Sequence, residues 1–100
     1  MNKGRNEMKV VYDEAKRLEV LKARGLDFCD TPEVFEGFHL TRRDDREDYG
    51  EDRFITLGEC NGAVVKIVWT IRDEQRRIIT MWKARHGERE GYQRFRDAGR

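Results

Sequence analysis

The residues with the clearest chemical potential lie in the last third of the chain. Two alternating apolar stretches, Ala63 to Arg72 and Arg76 to Trp82, run into Lys83-Ala84 and then into a basic segment that holds Arg85, His86, Glu88, Arg89 and Tyr92. Strands that deliver cations such as Arg72 and Lys83 to a helix build a surface suited to phosphate groups. Arginine offers a flat fork that grips two phosphate oxygens, whereas lysine acts as a compact point charge. His86 brings an imidazole, the side chain that titrates closest to neutral pH. No glycine-rich nucleotide loop or nucleophile triad competes with this segment. Cys29, His39, Cys60 and His86 lack zinc-finger spacing, so no metal or cofactor is expected.

Each of these residues also has a plainer role open to it. Arg53 and Arg72 flank strands and can be solvated or paired with Glu51. Glu88 suits the positive end of a helix. Arg89 can pair with a helical neighbour, Tyr92 can be a core aromatic with its hydroxyl at the surface, and His86 fits a loop without a function. Trp69 falls on the apolar face of its strand and reads as core.

The elements that must position these groups follow from pattern. One hundred residues fit one domain. Lys9 to Tyr12 reads as a short strand. Asp13 caps a helix to about Ala23, with Ala15, Leu18 and Leu21 on one face and Gly25 as its stop. Leu26 and Phe28 pack the next turn. Thr31-Pro32-Glu33 opens a second helix with Thr31 as cap, Val34 and Phe35 as its buried side and Gly37 as its end. Phe38 to Thr41 is a further strand candidate, and Arg42 to Glu51 reads as a mobile polar loop.

From Asp52 the period becomes two. Phe54 to Cys60 and Ala63 to Arg72 are strands joined by Asn61-Gly62, the sequence of a type I′ hairpin turn. On the second strand Ala63, Val65, Ile67, Trp69 and Ile71 form the core face, and Val64, Lys66, Val68, Thr70 and Arg72 an amphipathic one. Asp73-Glu74-Gln75 turns the chain into a third strand, Arg76 to Lys83. A C-terminal helix starts near Gly87 and runs to about Asp97. The class is α+β: an antiparallel β-meander packed with N-terminal helices and a C-terminal helix, over residues 9–97, behind a flexible N-terminus, residues 1–8.

The chain is 41% charged and 37% hydrophobic, and no apolar run is long enough to span a bilayer. Met1 to Lys9 lacks the apolar stretch of a signal peptide. The expectation is a cytoplasmic protein without a membrane partner, in which Cys29 and Cys60 stay reduced and act as small buried apolar residues. A formal charge of +1 hides an asymmetry. Residues 1–50 carry 10 Lys/Arg against 12 Asp/Glu, while residues 61–100 carry 10 against 5. A basic end suits an anionic partner.

Several segments together resemble the BrnT family, toxins of bacterial toxin–antitoxin pairs with a RelE-like ribonuclease fold. They are Tyr12-Asp13-Glu14-Ala15-Lys16, then Leu21-Lys22 with Gly25-Leu26 and Phe28, then Phe35. Asp45-Arg46 with Asp48-Tyr49-Gly50-Glu51 and Arg53 follows. Gly58, Thr70 with Arg72, Arg77-Ile78-Ile79, and Lys83-Ala84 with Glu88-Arg89 and Tyr92 complete the series. The likeness covers roughly residues 9–95. At two positions another residue stands in place of the family's usual one: Arg24 where a His usually precedes the glycine, and Trp82 where an Arg usually precedes Lys83-Ala84; Gly91 and the Arg85-His86-Gly87 stretch also look less helical than is usual there.

The resemblance implies a small endoribonuclease that cleaves RNA without a metal and inhibits translation. It implies neutralisation by a BrnA-like antitoxin in a hetero-oligomer that reaches operator DNA through the antitoxin. Such cleavage uses the 2′-hydroxyl as nucleophile and needs cations for the developing charge, a base and an acid. The catalytic candidates are Arg53, Arg72, Lys83, Arg89, Glu88 and Tyr92, with Glu51 a further proton-transfer candidate. The RNA-binding candidates are Arg72, Arg77, Trp82, Lys83, Arg85 and His86, with Trp82 able to stack on a base. A competing expectation is an attenuated homologue, weakened by Trp82, that acts only as an antitoxin-binding co-repressor subunit. A stand-alone nucleic-acid-binding domain fits less well, because the net charge is near neutral and stacking aromatics are few.

Overall fold

The period-two stretch beyond Asp52 forms three long neighbouring strands at the centre of the molecule. A computed structural model describes residues 8–99; residues 1–7 of the expected N-terminal lead-in lie outside the described residues. The elements are β1 (Val10–Val11), α1 (Glu14–Arg24), a 3₁₀ turn (Phe28–Asp30), α2 (Thr31–Glu36), β2 (His39–Arg43), β3 (Arg53–Cys60), β4 (Ala63–Arg72), β5 (Gln75–Lys83) and α3 (His86–Ala98). They build a five-stranded sheet in the order β1-β5-β4-β3-β2. Only the β1–β5 pair is parallel. The result is an α+β fold, as expected, with a mixed sheet.

Turn chemistry fixes the register of the meander. Asn61 and Gly62 take φ of 51° and 83°, the left-handed pair that a two-residue type I′ turn requires. Asp73 and Glu74 do the same at 55° and 62° without a glycine, so the turn is two residues and Gln75 already belongs to β5. Ile79 is the extra residue of a bulge, because Val68 pairs with Thr80 and Trp69 with Ile78.

One sheet face carries the main core. Phe28, Val34, Phe35, Val65, Ile67, Trp69, Ile78 and Met81 pack there with Val20 from α1. Gly58 lets α2 approach β3, since a Cβ at that position would stand 2.5 Å from Val34 Cγ1. The opposite face is more buried than its amphipathic pattern suggested. Val64, Val68 and Thr70 are all buried, whereas Ile71, expected in the core, is half exposed at the strand end. Tyr92 of α3 supplies part of that cover, packing with Val64 and Ala84 and against Leu40 and Leu57.

Four further expectations are corrected. On α1 the fully buried residue is Val20, while Ala15 and Leu18 face solvent. The inward stripe continues through half-buried Lys16, Arg17 and Leu21, whose aliphatic stems do the covering for the two charged residues. Thr31 is not the cap of α2: that position is Asp30, and Thr31 is buried with its hydroxyl donating to Phe28 O at 2.8 Å. Cys29 is exposed, and only Cys60 is buried. The polar loop begins at Asp44 and is tied down. Asp44 is buried, its N–H donates to Arg53 O at 2.8 Å, and its carboxylate accepts two bonds from Arg46 at 2.8 Å.

Asp13 and Gly25 behave as expected of a cap and a stop. Asp13 accepts from Ala15 N at 2.9 Å, and Gly25 adopts φ 71°. Beyond α1, Asp27 accepts from Arg17 at 2.7 and 3.1 Å and from Cys29 N at 3.0 Å. These bonds hold the Asp27 carboxyl well below the usual carboxylate range. A carboxyl depressed by folding stabilises the folded state above its unfolded pKa and loses that contribution as pH falls. Stability is therefore expected to decline as the pH drops below about 5. Urea midpoints for the chain and for Asp27→Asn check this, the variant showing the shallower acid limb.

Candidate functional site

Cross-strand register gathers the first group of candidates. Lys66 of β4 stands opposite Trp82 of β5, with Lys66 Nζ 5.6 Å from the centre of the Trp82 ring. Two residues on, the chain leaves β5 through Ala84 and enters α3, which places Arg85 at the helix cap. Arg46 comes from the loop between β2 and β3. Arg46, Lys66, Trp82, Lys83 and Arg85 line one cleft of about 250 Å³: four cations around one indole. Lys83 also lines a neighbouring cleft of about 350 Å³ that includes Arg89, Gln93 and Arg96.

The cations of the first cleft differ in commitment. Lys66 pairs with Glu88 Oε2 at 3.0 Å, and Arg46 with Asp44. Lys83 and Arg85 are exposed and have no ion pair among the described residues. Glu88 does bind the helix start, as its plainer role suggested, accepting from Arg85 N at 2.8 Å. Its two oxygens thus fasten the helix end and Lys66 at once. The Arg85 backbone donor and Lys66 outweigh desolvation, so the Glu88 carboxyl sits below its ordinary range. Glu88 is a carboxylate near neutral pH and holds no proton to give.

A second cationic group lies at the far end of the same sheet face. Arg53, Thr70 and Arg77 align across β3, β4 and β5. Glu51 is bracketed by Arg53 at 3.2 Å and Arg72 at 3.0 Å, which lower its pKa, Arg72 foremost. Arg53 also lies 4.2 Å over the Tyr49 ring. The pairing of both arginines with Glu51 is the plainer reading of the sequence; it leaves Arg72 half exposed and able to meet a further anion.

The remaining candidates are not in either group. His86 Nδ1 meets Arg89 Nη2 at 3.1 Å, and Nε2 meets Glu90 at 3.1 Å. Arg89 has only protons to offer, so Nδ1 is the acceptor and the lone pair a base would use is occupied. Tyr92 is buried, and its hydroxyl donates to Phe38 O at 3.0 Å. Burial raises its pKa. That places Tyr92 in the packing between α3 and the sheet, apart from both cationic groups.

Three residues of this region were not singled out from the sequence as site residues. Lys66 was placed on the correct strand face, and the pairing with Trp82 was the signal that could have found it. Arg46 stood in the loop without a partner. Arg24, at the end of α1, donates to Thr80 Oγ1 at 3.1 Å and Met81 O at 3.0 Å. Its guanidinium lies 4.9 Å over the Trp82 ring, so the two positions where another residue replaces the family's usual one touch each other. No helix among the described residues is long and apolar enough to cross a membrane.

Against known proteins, the family model described as ribonuclease toxin, BrnT, of type II toxin-antitoxin system matches residues 12–88. That span takes in the cleft from Arg46 to Arg85 and the Arg53–Arg72 group, and it ends before Arg89 and Tyr92. No curated protein matches the chain.

Proposed function

The chain belongs to the BrnT family of ribonuclease toxins of type II toxin–antitoxin systems, and from that premise we propose that it is a metal-independent endoribonuclease whose RNA lies along the sheet face between the two cationic groups. The observation that carries this reading is the cleft in which Arg46, Lys66, Lys83 and Arg85 surround Trp82. In the reaction the 2′-hydroxyl loses its proton to water as its oxygen attacks the adjacent phosphorus, the P–O5′ bond breaks to leave a 2′,3′-cyclic phosphate, and the departing 5′-oxygen takes a proton from water. Lys83 and Arg85, free of ion pairs among the described residues, stabilise charge on the phosphoryl oxygens. Lys66 stays oriented by Glu88, Trp82 stacks on a base, and Arg53, Arg72 and Arg77 hold the strand further along.

The same reading extends to biology. The protein has a RelE-like fold, acts in the cytoplasm and stops translation by cutting RNA. A BrnA-like antitoxin neutralises it in a hetero-oligomer, and operator DNA is reached through that partner. The test is controlled expression in a bacterial host without the antitoxin, following growth and the integrity of total RNA. Growth arrest with fragmented RNA supports the reading; normal growth with intact RNA overturns it for this chain.

The contact of Trp82 with both Arg24 and Lys66 favours a second reading, in which the indole blocks the cleft and leaves an antitoxin-binding co-repressor subunit. Trp82→Arg in the same assay separates the two. Arrest that appears only with arginine identifies an attenuated toxin.

A further inference from the structure

On the sheet face opposite the cationic cleft, Arg76 is a cation at core depth. It is 5% exposed. Its guanidinium carbon lies 3.7 Å from the centre of the Phe35 ring and 4.5 Å from that of Trp69. Those rings attract the charge through the faces of the guanidinium, and they offer no acceptor to the N–H groups in its plane. Among the described residues no carboxylate pairs with it, and its buried Nε has no hydrogen-bond partner. Burial lowers its pKa, yet a guanidinium stays protonated in proteins. A buried charge with an open donor is costly unless something supplies an acceptor.

The surroundings show what fits. Arg76 lines a cleft of about 320 Å³ with Met8, Val10, Pro32, Phe35 and Glu36 among its walls. Its backbone N–H is fixed by Lys9 O at 2.8 Å, so the base of the side chain cannot slide. The cleft presents one buried guanidinium beside apolar walls from Met8, Val10, Pro32 and Phe35, with Lys9 and Glu36 as its other polar side chains. A nucleic-acid backbone carries its phosphates in series and needs cations in series; here Lys9 is the one other cation in the lining, and Glu36 opposes a polyanion. A single carboxylate on an apolar stem matches both the fork and the walls.

We propose that this cleft receives an Asp or Glu side chain of a protein partner, bound fork to fork by Arg76. That the partner is the antitoxin rests on the functional reading above.

The test measures affinity of the chain for the protein encoded by the adjacent antitoxin gene, beside the thermal midpoint of the free chain. Arg76→Met is expected to weaken the complex roughly thirtyfold or more, while the free chain melts no lower than before, because replacing an unpaired buried charge by an apolar side chain is neutral or stabilising. A purely structural arginine would lose midpoint and affinity together. Affinity retained within about threefold, less than 1 kcal/mol, overturns the proposal. Should Arg76→Met not fold, Arg76→Lys keeps the charge without the fork and is expected to weaken the complex by about tenfold; unchanged affinity again overturns it. If wild type binds no product of that gene, the antitoxin reading fails and the cleft is probed alone. N-acetylglutamate is titrated against the NMR signal of the Arg76 Nε–H. A saturable shift supports a carboxylate site. No shift, or a larger one with inorganic phosphate, overturns it.

Discussion

Alanine at Lys83 is expected to lower RNA cleavage by about two to three orders of magnitude, the loss seen when one positioned donor to a developing oxyanion is removed. Lys83 is exposed and without an ion pair among the described residues, so no internal carboxylate competes for its charge. It lines two adjoining clefts, where phosphates on either side of a scissile bond can reach it. Two of its neighbours cannot substitute freely, because Lys66 is held by Glu88 and Arg46 by Asp44; Arg85, without an ion pair among the described residues, is the neighbour left to sustain the residual rate. Folding should hardly notice the change, since exposed substitutions usually fall within about 0.5 kcal/mol. The measurement is single-turnover cleavage of a labelled RNA, with melting as control. Lys83→Arg should recover part of the rate, because it keeps the charge in a different shape. A Lys83→Ala protein that melts normally and cleaves at the wild-type rate removes Lys83 from the reaction.

The strands and turns around that lysine were legible because their signals are local. Period-two alternation found β3, β4 and β5, and Asn61-Gly62 found the turn between the first two. The pairing of Arg53 and Arg72 with Glu51 was also readable, since strand ends bring these residues close. Other features depend on tertiary placement. The inward stripe of α1 runs through Lys16 and Arg17, so counting apolar residues rotated the helix toward Leu18. Asp44 looks like any loop acid until Arg46 and the Arg53 carbonyl hold it inside. The cleft is assembled from a loop, two strands and a helix cap, and no spacing in the sequence announces that Arg46 and Lys66 will meet Trp82. Arg76 is the sharpest case. Its alternation with Ile78 fits a strand, but only the packed fold shows that its face is the buried one.

Trp69 ties that buried arginine to the core, and Trp69→Ala is expected to destabilise the domain by about 3–5 kcal/mol. Small domains hold only about 5–15 kcal/mol in all, so the variant should be marginal, with its midpoint lower by roughly 12 °C or more. The indole is 6% exposed. It packs edge-on to Phe35 at 5.6 Å, stacks obliquely on Phe54 at 4.8 Å and donates to Thr56 Oγ1 at 2.7 Å. Trp69→Phe separates these parts. It keeps most of the ring area and loses the donor, and Thr56 still has Thr41 Oγ1 at 2.8 Å. Its cost should therefore stay near 1–2 kcal/mol, mostly one hydrogen bond and a small void. Alanine also strips one aromatic face from Arg76, which leaves the charge both unpaired and partly uncovered. Part of the loss in Trp69→Ala then belongs to Arg76, and Arg76→Met should return it. The double variant is expected to cost less than the sum of the two single changes, as contacting residues that share one interaction do. Urea unfolding of the four proteins measures that coupling. Strict additivity would mean that the indole stabilises the core without sheltering the cation beneath it.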